Sequence, residues 1–88
     1  MRIDKYLKVA RVLKRRTVSK ELAVNDRIEI NGKVVKPAHD VKVGDIVTIT
    51  FGRRQLKIRV LSTEDNKKKK DLDMYEIVEE TYLDSWSN

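Results

Sequence analysis

The chain has 88 residues, with 20 Lys and Arg against 14 Asp and Glu, one histidine and no cysteine. That length implies one small domain with a modest core, and the missing cysteine excludes disulfides, thiolate metal sites and a cysteine nucleophile. The net charge of +6 sits at the N-terminal end: residues 1–36 hold eleven Lys and Arg and four Asp and Glu, whereas residues 71–88 hold six acids and no base. A basic excess gathered in one region points to a polyanion, with nucleic acid ahead of an anionic membrane surface.

In chain order, "RIDKYLKVA" (2–10) predicts a short helix with Ile3, Leu7 and Ala10 on one apolar face. Arg2, Lys5 and Lys8 take another side as a slanting band, because a spacing of three drifts by about 60° per step. Asp4 falls in the first turn, where the helix dipole favours an acid. Residues 11–16 form a basic connection carrying Arg11, Lys14, Arg15 and Arg16. Thr17 is the expected N-cap of a second helix over 18–25, with Val18 and Leu22 inward and Asn25-Asp26 as its stop.

The period then changes to two. "RIEI" alternates, Asn31-Gly32 is a strong hairpin signal, and "KVV" resumes before Pro37 ends the piece. "VKVGD" is a turn, "DIVTITF" (45–51) a strand, Gly52-Arg53-Arg54 a second turn, and "QLKIRVL" (55–61) a strand with Leu56, Ile58 and Val60 on one face. Residues 62–73 are polar and charged. "MYEIVEE" fits strand or helix, and a strand at 74–79 added to the sheet is preferred; "TYLDSWSN" reads as a loose end. The expected organisation is a domain over 1–62 and a charged extension over 63–88.

Few groups offer bond chemistry. His39 stands beside Asp40 in a turn-rich loop and reads as an exposed loop residue. The three glycines are scattered and form no phosphate-cradling loop, and no histidine or cysteine spacing suits zinc. No cofactor, metal or catalytic residue is therefore expected. The N-terminal block is different. It holds five arginines within residues 1–27, and arginine suits bidentate phosphate contact. Lys14, Arg15 and Arg16 also precede a helix start, where each cation costs roughly 0.3–1 kcal/mol; a bound phosphate reverses that sign. A two-turn helix is short for reading a major groove, and a short basic helix pair beside a small sheet suits shape-based phosphate recognition, as with folded RNA, although these residues alone do not separate RNA from DNA. No apolar run approaches the roughly 20 residues of a membrane span, and the charged start lacks a signal-peptide core, so a cytoplasmic protein is expected.

The motifs "RIDKYL", "KRRT", "RIEINGKVVKP" and "VKVGDIV" occur in order over residues 2–50. Together they resemble the S-four RNA-binding domain family. The resemblance implies an α+β fold, two short N-terminal helices on a small twisted antiparallel sheet with a charged C-terminal extension, and RNA bound along the helix pair. Carried onto this sequence, it assigns Arg2, Lys5, Lys8, Arg11, Arg15, Arg16, Thr17 and Lys20 to the RNA face, with Lys33 and Lys36 as weaker members and Asp4 orienting a basic neighbour. Asp26 stands where the family usually has glycine. The whole-chain layout resembles the branch of that family serving ribosome-associated quality control, whose relatives include the fifteen-kilodalton heat-shock RNA-binding protein. That branch implies a non-catalytic factor that meets 23S rRNA and P-site peptidyl-tRNA on an obstructed large ribosomal subunit. There it assists RqcH in adding C-terminal alanine tails. A monomer is expected. The alternatives are an rRNA-binding assembly factor and the RNA-targeting subunit of an RNA-modifying enzyme; an anionic-membrane binder fits less well, because no helix has an inserting apolar face.

Overall fold

The computed structural model describes residues 1–13, 16–63 and 74–82. Helix α1 (Ile3–Val9) buries Ile3, Leu7 and the adjoining Ala10, as the spacing predicts, and also Tyr6. Its N-cap is Arg2, whose side chain makes no capping bond. The first-turn donors are met otherwise: the N–H of Ile3 donates to the His39 carbonyl at 2.8 Å, and that of Asp4 to Pro37 at 3.4 Å. The N–H of Lys5 donates to the Asp4 carboxylate at 2.8 Å. Because the 37–39 loop caps the helix, the cap position is released for a cation.

Helix α2 (Arg16–Val24) packs on α1 and touches strand β3. It begins one residue before the expected N-cap, so Thr17 lies inside its first turn; capping preference fixes a helix start only to within a residue or two. The inward face also differs. Ser19 and Ala23 are fully buried and Leu22 packs on the core, while Val18 stays partly exposed. Two small residues at i and i+4 let the helix approach closely, which outweighs burial of the larger valine.

Both helices end in the same way. Arg11 (φ 64°) and Asp26 (φ 59°) are left-handed. After α1, the N–H of Val12 donates to Leu7 (2.9 Å) and that of Arg11 to Lys8 (3.0 Å). After α2, Arg27 donates to Leu22 (2.8 Å) and Asp26 to Ala23 (3.2 Å). These are two Schellman caps with a non-glycine residue at the left-handed position.

The sheet is antiparallel with strand order β2-β1-β3-β4-β5. Strands β1 (Ile28–Ile30) and β2 (Lys33–Val34) flank the Asn31-Gly32 hairpin, whose φ values of 53° and 85° are those of a type I′ turn. Asn31 also donates to Asp45 and accepts from the N–H of Ile46 at 3.0 Å, tying the turn to strand β3 (Ile46–Phe51). A second hairpin, with Gly52 at φ 61°, leads into β4 (Arg54–Val60). Leu56, Ile58 and Val60 enter a core shared with Ile3, Tyr6 and Leu7. "MYEIVEE" resolves as a strand: β5 (Tyr75–Tyr82) pairs along β4 from Val60 to Arg54. Thr81 and Tyr82, expected in a loose end, belong to it because the ladder continues to the start of β4. The expected boundary at 62 therefore falls within one continuous sheet.

Candidate nucleic-acid interface

On α1, burial alternates with a period of three. Arg2, Lys5, Lys8 and Arg11 are exposed, and the buried residues Ile3, Asp4, Tyr6, Leu7 and Ala10 lie between them. Arg2, Lys5 and Lys8 thus form the slanting exposed band that the spacing predicts, and Arg11 follows just past the end of α1, at its left-handed cap. Lys20, on α2, is exposed as well. The first turn of α2 has no acidic residue, so no carboxylate of that turn offsets the partial positive charge of the helix end. Arg16 is the first residue of α2. Lys14 and Arg15 lie outside the described residues, as do Lys67 to Lys70.

Asp4 is almost fully buried, and its Oδ2 lies 3.2 Å from an Arg2 guanidinium nitrogen whose side chain is half exposed. Its other oxygen accepts the Lys5 N–H. A buried carboxylate thus anchors the base of an outward-reaching guanidinium, which is the orienting role expected of Asp4. The backbone of Arg2 also bridges to that of Asp40. Arg11 is held by the strained cap at the other end of the same helix, so the cationic stripe is fixed at both ends.

The weaker candidates lie apart from this stripe. Lys33 is exposed on the two-residue strand β2. Lys36 faces Asp26 at 3.3 Å, both exposed, so its charge is balanced by the residue that stands where glycine was expected. His39 is exposed and its carbonyl caps α1, a structural task. Among the described residues, no group of three or more His, Cys, Asp or Glu is placed to hold a metal, and no helix is long and apolar enough to cross a membrane. What sequence reasoning missed is the charge on β4. Arg54, Lys57 and Arg59 each lie beside a β5 carboxylate, of Glu80, Glu79 and Glu76. The alternation in "QLKIRV" was visible, but its partners depend on the register of β5.

A pair of short helices, the first carrying an exposed basic stripe and both placed on one face of an antiparallel sheet, defines an RNA-binding module of the S4 class, and the S4 domain family matches residues 1–47. The chain is 51% identical to an RQC P-site tRNA stabilizing factor of Streptococcus pneumoniae, over 96% of this chain and 97% of that protein. It is 45% identical to one of Bacillus subtilis, over 94% and 98%. The fold is that of the trimeric heat shock protein 15 of Vibrio cholerae, with a TM-score of 0.75 at 24% identity, over 88% of this chain and 80% of that one. The chain belongs to the S4 domain family and, within it, to the group of RQC P-site tRNA stabilizing factors.

Proposed function

We propose that this protein binds structured RNA through the outward side of α1 and the start of α2, and that it acts in ribosome-associated quality control by stabilising P-site tRNA on the large ribosomal subunit. The observation that carries the reading is the exposed stripe Arg2, Lys5, Lys8 and Arg11, with Asp4 anchoring its first member. The names of the relatives support the setting. Its finer partners are 23S rRNA, P-site peptidyl-tRNA of an obstructed subunit, and RqcH, whose alanine tailing the protein assists.

The role is non-catalytic and cytoplasmic, performed by a monomer. Phosphate neutralisation and a rigid helix face are enough to hold a tRNA in place, and no bond need be made or broken. Cosedimentation tests the reading. The protein is expected to pellet with large subunits carrying peptidyl-tRNA and to do so less with empty subunits. Equal recovery with both overturns it.

A further inference from the structure

The sheet has two faces, and only one meets the helices. Leu56, Ile58 and Val60 enter the core under α1, so Gln55, Lys57 and Arg59 project from the opposite face. Strand β4 gives that face two cations, enough to attract a polyanion. Register places an acid against each. Lys57 sits directly opposite Glu79 and Arg59 opposite Glu76, with ion-pair distances of 3.6 and 2.9 Å. Glu29 completes the row of Lys57, since Glu29 pairs with Thr48 and Thr48 with Lys57. Along the described strands, Lys57 and Arg59 therefore face three outward carboxylates, Glu29, Glu76 and Glu79, while α1 and its two ends carry four exposed cations. Exposed pairs of this kind add little to stability. Their larger consequence is the local potential that an approaching phosphate meets.

We infer that Glu76 and Glu79 are specificity determinants: they cancel the β4 cations, close the outer sheet face to polyanions, and leave the helix side as the surface that accepts RNA among the described residues. This rests on the RNA-binding reading of the helix pair. One-sided binding fixes the orientation of the domain on its RNA, which a factor that stabilises a tRNA in one site requires. The β5 strand thus edits a surface that does not itself bind.

The test is the salt dependence of binding to a labelled oligouridine long enough to pass from the helix side round to the outer sheet face, followed by fluorescence anisotropy on the full chain. E76Q/E79Q keeps the shape of both side chains and uncovers Lys57 and Arg59. The slope of log K against log salt is expected to steepen by about 1.4, at about 0.7 per uncovered cation, with a gain in affinity of roughly fivefold to tenfold at low salt. K57Q/R59Q in the otherwise unchanged chain is expected to leave slope and affinity as they are, whereas Lys5→Gln lowers both. The quadruple variant K57Q/R59Q/E76Q/E79Q lacks the same ion pairs yet uncovers no cation, so it returns to the original slope. An unchanged slope in E76Q/E79Q overturns the inference. So does a gain that persists in the quadruple variant, because the change then comes from a loosened β5. Loss of affinity in K57Q/R59Q equal to that of Lys5→Gln also overturns it. Failure of Lys5→Gln to alter binding defeats the helix-face reading itself.

Discussion

The hydroxyl of Tyr6 donates to the carbonyl of Met74, 68 residues further along the chain, at 2.5 Å. One side chain of the first helix thereby fixes the residue that leads into the last strand. Two backbone bonds, from the N–H groups of Leu61 and Ser62 to the same carbonyl, complete the junction. The N-terminal RNA-facing helix and the C-terminal acidic strand are thus parts of one cooperative unit.

Tyr6→Phe keeps the ring and removes the bond, so it is expected to cost about 1 kcal/mol. In a domain of this size that lowers Tm by roughly 4–8 °C. The pH dependence changes too. Burial, with a smaller contribution from Tyr75, pushes the Tyr6 phenol above its ordinary value. In the unfolded chain it ionises near pH 10. The contribution of Tyr6 is therefore fully present below about pH 10 and is lost as pH rises toward the raised folded value. Urea unfolding at neutral and alkaline pH should show a smaller alkaline loss in Tyr6→Phe than in the unchanged protein.

Arg2 and Lys8 should separate binding from folding. Both are exposed cations of the stripe, yet only Arg2 faces a buried carboxylate. Arg2→Ala removes the cation beside Asp4 and is expected to cost about 1.5–3 kcal/mol as well as RNA affinity. Lys8→Gln is expected to leave stability within about 0.5 kcal/mol and lower affinity alone. Asp4→Asn keeps an acceptor for the Lys5 N–H but drops the charge, so affinity falls while Arg2 is still present. Thermal melts run beside anisotropy titrations check all three.

Salt should reveal how many cations reach phosphates. Lys5, Lys8 and Lys20 are each expected to contribute about one unit or slightly less to the slope of log K against log salt when changed to Gln. Lys36→Gln should change it less, because Asp26 already balances that charge. A full unit lost at Lys36 would place the Lys36 side within the interface.

Local signals made much of this legible. The apolar face of α1 at Ile3, Leu7 and Ala10, the Asn31-Gly32 turn and the alternation of β4 are dictated by helix pitch, by the φ > 0 demand of a I′ turn and by the strand pleat. What was not legible depends on partners remote in sequence. Ser19 and Ala23 face inward because α2 lies close to its neighbours, not because of their own hydropathy. "MYEIVEE" suits two periods, and the choice is made by β4, whose outward cations and open edge accept a strand with Glu76 and Glu79 in register. The capping of α1 by the 37–39 loop leaves no local signature near Arg2.

The two left-handed caps set up a comparison between strain and function. Arg11 and Asp26 occupy equivalent positions after α1 and α2, where glycine is the unstrained choice. A left-handed non-glycine residue costs roughly 1–2 kcal/mol, somewhat less for Asp, whose short side chain tolerates the region. Arg11→Gly should therefore stabilise the fold by about 1 kcal/mol. Asp26→Gly should gain less, because it also gives up the exposed pair with Lys36, worth about 0.2–1 kcal/mol. Binding should move in opposite directions. Arg11→Gly removes the last cation of the α1 stripe and weakens RNA affinity, whereas Asp26→Gly removes an acid, releases Lys36 and strengthens it at low salt. Strain kept at Arg11 for the sake of its charge predicts a variant that is more stable and binds less well. Equal affinity in Arg11→Gly would assign that strain to the backbone turn alone.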